Sequence, residues 1–235
     1  MNASSKDKKY VRLLKFFVPF ILGFGVLGIW WLFDDTIHII WPLIVAYFFP
    51  PFGKETIIPL GIGLLKEGLT IPLLNIHVQP VSVNPISIAL AIAFVDVIVA
   101  LFLVWNYDLA KKIPLIGKFI IKIEEKGKGI EKKYSWIKPL RFVGIVLFVM
   151  FPFQGSGGLV GSVVGRLFGM KPWNVFYAIS IGSVTGCLLI AMFSTAFLIF
   201  TKINTVLTIS IVLIIVAIIV IIYLYKTKLR KNVIR

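Results

Sequence analysis

The chain has 235 residues, of which 59% are hydrophobic and 15% charged, and its mean hydropathy is +0.98. That leaves too little polar surface to wrap a soluble domain of this length, so lipid is the solvent for most of the chain. Twenty-five Lys and Arg against ten Asp and Glu would suit nucleic acid, but the excess flanks apolar runs, where it reads as topology and headgroup contact; the single cysteine, Cys187, excludes an internal disulfide and a cysteine-based zinc site.

A bilayer core about 30 Å thick takes about 20 helical residues to cross. Phe16 to Phe33 is the first run long enough. It follows Lys6, Lys8, Lys9, Arg12 and Lys15, as a signal peptide would, but its exit through Trp30, Trp31, Leu32 and Phe33 lacks small residues for cleavage, which predicts a retained helix. Ile37 to Lys66 is apolar but interrupted by Pro50, Pro51, Gly53 and Pro59, so each arm is too short to span and the segment reads as a hairpin. Pro72 to Asn84 carries no charge and reads as an external loop, and Pro85 to Trp105 is a second full span. Residues 106–141 are a basic loop in which Ile116, Phe119, Ile120 and Ile123 oppose Lys118, Lys122 and Lys126, the pattern of a helix lying along the inner headgroups. Phe142 to Met170 is a second broken segment, interrupted by Pro152 and Gly155 to Gly158; Trp173 to Phe200 and Ile203 to Tyr225 are full spans.

Five basic residues precede Phe16, ten lie between Lys111 and Arg141, and five follow Tyr225. The positive-inside rule puts these three segments in the cytoplasm, both termini included, and the plasma membrane is the expected location. Parity then requires each broken segment to return to the side it entered from, giving two re-entrant hairpins that approach the midplane from opposite faces. At an offset of 101, Pro51, Phe52 and Gly68 fall on Pro152, Phe153 and Gly169, which suggests an inverted repeat of hairpin plus helix. The expected fold is an all-α integral membrane domain with two opposed hairpins and about four transmembrane helices.

Irregular backbone at membrane depth is tolerated only where protein buries it or water reaches it, so the hairpin tips are the default site. Pro51, Gly53, Lys54 and Glu55 form the first tip; exposed amides at a helix start favour an anion, while Glu55 alternatively caps the arm and pairs with Lys54. In the second, Pro152, Gln154, Gly155, Ser156, Gly157 and Gly158 precede glycines at 161, 165 and 169, a small-residue stripe that invites close backbone packing. The amides and the Ser156 hydroxyl are candidates for an anionic headgroup. Arg166 either snorkels to headgroups or turns inward as partner to an acid or an anion. Asp96, in the middle of a full span, has nowhere to snorkel and faces the interior as a proton relay, a cation contact or a structural hydrogen-bond acceptor. No protease motif, catalytic constellation, cofactor-binding motif or metal-ligand spacing is present; His38 and His77 stand far apart. Neither an enzyme nor a cofactor is expected. Gly182 and Gly186 permit homodimer contacts as readily as internal ones.

The stretch 142–196, with Phe151-Pro152-Phe153-Gln154-Gly155-Ser156-Gly157-Gly158, Gly161 and Gly182, resembles the small multidrug export family, as does Glu55-Thr-Ile-Ile-Pro-Leu-Gly-Ile-Gly63. That family resembles a branch of the DedA (VTT-domain) superfamily, which implies paired re-entrant hairpins, an essential hairpin acid at Glu55, a second acid at Asp96 and an arginine at Arg141. Where DedA proteins carry a further arginine near the second tip, Gln154 and Gly155 stand here; Arg166 is a substitute on our own reading. The resemblance implies translocation of an anionic lipid such as a polyprenyl phosphate, with Lys54 and Arg166 on the head and Glu55 and Asp96 cycling protons. Proton-coupled export of small cationic drugs or metabolites is the alternative, and a non-transporting scaffold the third reading.

Overall fold

A computed structural model of the chain describes residues 5–49, 52–71, 76–78, 80–112 and 140–233, together with 114, 117, 118 and 121. In chain order the elements are α1 (Ser5–Phe33), α2 (Thr36–Tyr47), α3 (Lys54–Glu67), β1 (Leu69–Ile71), β2 (Ile76–Val78), α4 (Pro85–Trp105), α5 (Tyr107–Ala110), α6 (Arg141–Met150), α7 (Gly158–Leu167), α8 (Pro172–Ile203) and α9 (Thr205–Val233). Two compact units divide them, Met1–Met192 and Phe193–Arg235.

Three helices among the described residues are long and apolar enough to cross a membrane: Tyr10–Phe33, Pro85–Trp105 and Pro172–Ile203. They coincide with expected spans, and the protein is a membrane protein. The fourth expected span falls on α9. Both broken segments are broken as the prolines and glycines require. At 12, 14, 10 and 10 residues, α2, α3, α6 and α7 reach about 15 to 21 Å, short of the hydrocarbon thickness. Pro59, expected to interrupt the first segment, lies inside α3 instead. It cannot donate to the carbonyl of Glu55, but the rest of α3 continues past it.

α4 lies at the centre of the first unit. Asn84 caps it by accepting the Ile86 amide at 3.0 Å, with Pro85 in the first turn where no amide is needed. Apolar on every side, it packs against α1, α2, α3 and α7. On the side toward α6 and α8 its Ala100 and Val104 meet Ile145, Val149, Val175, Ala178 and Ile179 in one buried cluster. Lipid supplies no hydrophobic drive between helices, so such contacts hold by packing and by small residues at crossings. Gly182 and Gly186 of α8 are of that kind: a methyl group at either would come 2.6 Å from the carbonyl oxygen of Val146 or Met150 on α6. The stripe on α7 is likewise used inside the fold, Gly161 against Val149 and Gly165 against Val175.

Gly68 and Gly169 end α3 and α7 at φ of 71° and 69°, a left-handed conformation that glycine alone adopts at no steric cost. These are two residues related by the offset of 101. The segment expected to be an external loop contains β2, antiparallel to β1, with His77 opposite Thr70. Residues 122–139, with most of the expected headgroup helix, and Pro51 of the first tip lie outside the described residues. In the second unit α9 starts after Asn204, whose side chain accepts the Leu207 amide at 3.0 Å.

Candidate functional site

The break after α2 and the break before α7 meet at the middle of α4. Asp96 is 2% exposed and accepts three hydrogen bonds from three different elements. The hydroxyl of Tyr47, last residue of α2, donates to Oδ1 at 2.6 Å; the amide of Gly158, first residue of α7, donates to the same oxygen at 2.8 Å; the hydroxyl of Ser183 on α8 donates to Oδ2 at 2.7 Å. A carboxylate is an acceptor with several lone-pair sites, and donors to both of its oxygens offset the cost of burying it bare. Of the roles open to Asp96, the hydrogen bonds fit the structural one: it ties both broken segments and α8 to one point.

The second half of the α7 contact is steric. A methyl group on Gly157 would sit 2.5 Å from the Tyr47 hydroxyl and 2.8 Å from Asp96 Oδ1, and one on Gly158 would strike the Asp96 backbone. Only glycines let the α7 amide reach the carboxylate.

Lys54, first residue of α3, is 1% exposed, and its ammonium donates to the carbonyl of Val149 on α6. It thus joins the first broken segment to the second. Glu55 is different. Its carboxylate folds back over Gly53, whose missing side chain makes the room, and its Oε2 is buried with no hydrogen-bond partner. A buried carboxylate oxygen left unpaired is costly, and in a native fold it asks for an explanation.

Glu55 opens on a cavity of about 310 Å³, shared with Tyr47, Phe48, Phe52, Gly53, Lys54, Asp96, Phe153, Gln154, Gly155, Gly157 and Gly158. Two acids and one base line it, with aromatic rings on both sides. It adjoins an apolar cavity of about 590 Å³ among α1, α2 and α4; Phe48, Val99 and Leu159 line both.

Eight residues expected at the site, Gly53, Lys54, Glu55, Asp96, Gln154, Gly155, Gly157 and Gly158, therefore do converge. Others do not. Ser156 is buried, and its hydroxyl closes the turn by donating to the Phe151 carbonyl at 2.8 Å instead of facing the cavity. Pro152 stands exposed between the stacked rings of Phe151 and Phe153. Arg141 starts α6 and donates to the Phe168 carbonyl at the end of α7. Arg166, expected to meet Glu55, lines a separate cavity with Lys15, Tyr107 and Asp108, because the α7 helix carries it two turns away from the tip. Tyr47 and Ser183 were not anticipated. Both are polar residues in apolar helices, which is the one signal that marks them. Among the described residues no group of three His, Cys, Asp or Glu could hold a metal ion.

No curated protein and no solved structure matches the chain. Residues 56–189, more than half of it, match the model of the family described as "Putative small multi-drug export protein", with Asp96, Gly158 and Ser183 all inside the match, and the chain belongs to that family.

Proposed function

We propose that this protein exports small amphipathic cations in exchange for protons, with Glu55 as the group that holds either one. The observation that carries the reading is the buried, unpartnered Oε2 of Glu55 in a cavity where acids outnumber bases. An ammonium or a proton would satisfy that oxygen, and the two would compete for it. Aromatic rings of Phe48, Phe52 and Phe153 around the same space suit a cation, and the adjoining apolar cavity suits the body of an amphipathic substrate. Asp96 is a positioning residue in this scheme.

The alternative of an anionic lipid such as a polyprenyl phosphate needs Lys54 and Arg166 on one headgroup. Lys54 is committed to the Val149 carbonyl and Arg166 lines another cavity, so the geometry favours the cation. In our reading the two broken segments are opposed re-entrant hairpins of a DedA-like inverted repeat, in a plasma-membrane protein with both termini cytoplasmic. The matching glycine ends of α3 and α7 support the repeat.

The test is uptake of a lipophilic cationic dye into proteoliposomes under a pH gradient. Wild-type protein should accumulate dye only with the gradient, and Glu55→Gln should lower the rate at least about tenfold, the scale of losing one charge-assisted contact. Dye movement indifferent to Glu55→Gln would overturn the reading. Movement of labelled polyprenyl phosphate instead would return the lipid alternative, and inactivity toward both would leave the scaffold.

A further inference from the structure

A second cavity lies apart from the Glu55 site, largely apolar but with two cations, Lys15 and Arg166, in its lining against one acid, Asp108. It measures about 580 Å³, and its lining includes Lys15 of α1, Tyr107 and Asp108 of α5, Arg166 of α7 and Trp173 of α8. Next to Trp105 and Tyr107 in the chain, Asn106 donates to the Lys15 carbonyl at 2.8 Å and to the Phe102 carbonyl at 2.9 Å, which fixes α1 against the end of α4. The Arg166 guanidinium stands 5.3 Å from the centre of the Tyr107 ring, and the Lys111 ammonium stands 5.1 Å from the same ring. Two cations therefore flank one tyrosine, Lys15 lines the same cavity as Arg166, and Asp108 is exposed.

The guanidinium is under-used. It is a rigid fork of five donors. Its Nη1 makes a long bond of 3.3 Å to the Met170 carbonyl, and its Nε is buried with no partner at all. An unpartnered Nε beside an Nη is the pair that matches two oxygens of a phosphate, the bidentate contact for which arginine is suited. Val11, Leu14 and Val18 of α1 continue the wall as hydrocarbon, and Trp105 and Trp173, with ring centroids 6.0 Å apart, stand at the ends of α4 and α8 as interfacial tryptophans do. Phosphate chemistry beside an apolar wall at a membrane interface describes a glycerophospholipid.

We propose that this cavity is a binding site for the phosphate of a membrane phospholipid, with Arg166 as its bidentate donor, Lys15 as the second charge and the α1 wall along the acyl chain. The lipid joins α1, α5, α7 and α8 at that end of the first unit, and its binding is independent of the Glu55 site.

Native mass spectrometry of the detergent-purified full chain with added phosphatidylglycerol tests this. Wild-type protein should retain one lipid, and Arg166→Gln should weaken retention about tenfold, the scale of a charge-assisted hydrogen bond. Arg166→Lys should weaken it less, since the charge stays and the fork is lost. Glu55→Gln should bind as wild type. Diacylglycerol, with the tails and no phosphate, should not be retained, and millimolar glycerol 3-phosphate, with the phosphate and no tails, should not displace the lipid. Equal retention by Arg166→Gln and wild type would overturn the proposal, as would retention of diacylglycerol. Full displacement by glycerol 3-phosphate would make the ligand a soluble phosphate and overturn the lipid assignment. Should Arg166→Gln fail to fold, Lys15→Gln at an exposed position carries the same test, with a loss of about threefold expected from one rim charge.

Discussion

The two broken segments reach the same cavity with different materials. The first, α2 to α3, brings side chains: the Tyr47 hydroxyl, the buried Lys54 ammonium and the unpaired Glu55 carboxylate. The second, α6 to α7, adds Phe153 and Gln154 to the lining but makes its hydrogen bonds there with backbone: the Gly158 amide to Asp96 and the Val149 carbonyl to Lys54, in the space left by two glycines. The exchange is reciprocal. A cation of the first segment is held by a carbonyl of the second, and an amide of the second is held by the carboxylate of α4 that the first also grips. Such a division pairs Asp96 and Lys54 within the fold and leaves one oxygen of Glu55 without a partner.

Removing the shared acceptor should have the largest effect on that comparison. Asp96→Ala strands three donors from three elements, and the expected loss is about 3 to 5 kcal/mol, read as a lowered midpoint of thermal unfolding in detergent. Asp96→Asn should recover most of it, because its amide oxygen can still accept from Tyr47 and Gly158 while its nitrogen donates to the Ser183 hydroxyl. Attacking the backbone side comes next. Gly158→Ala should cost about 1 to 3 kcal/mol by overpacking against the α4 backbone, while Ala at Gly144, which has open space, should be near neutral in the same melt. On the side-chain half, Tyr47→Phe removes one of three donors and should cost about 1 kcal/mol. Glu55→Gln should leave the unfolding midpoint unchanged or slightly raised, since a neutral amide is cheaper to bury without a partner than a carboxylate oxygen, yet it should lower gradient-driven dye uptake at least about tenfold. A Glu55→Gln protein that both melts early and fails to transport would mean that the two segments do not divide their work in this way.

The smallest effect lies outside the spans. Asp34, between α1 and α2, is held below its ordinary value near 3.8 by hydrogen bonds from Thr36 and then from Trp30, whose Nε1 is 2.9 Å from Oδ2. A depressed acid stabilises above its unfolded pKa, so this contribution is complete at neutral pH and is lost as pH falls through the lowered folded value. Trp30 fluorescence should therefore change on acidification below about pH 4, and Asp34→Asn should flatten that change.

The long apolar runs were legible because a bilayer demands about 20 uninterrupted residues and little else, and α4 runs from Pro85 to Trp105 as expected. Asp96 was legible for the same reason, as a charge with no route to water. Pro59 misled, because proline inside a helix removes one hydrogen bond without ending it where neighbours pack on both sides. The strand at Ile76–Val78 was missed because three residues hold no period. For Arg166 the residue type left two readings open, the headgroups or the interior, and the turn of α7 decides which cavity it enters.

From composition and spacing alone follow the membrane, the spans, the two interruptions and a charge that must face inward, since each of these is a local consequence of the low solubility of polar groups in hydrocarbon. Which donors meet Asp96 depended on bringing residues 49, 62 and 87 positions away to one point. No local rule encodes that convergence. Packing of α2, α7 and α8 on α4 decided it, and with it which acid was satisfied and which was left open.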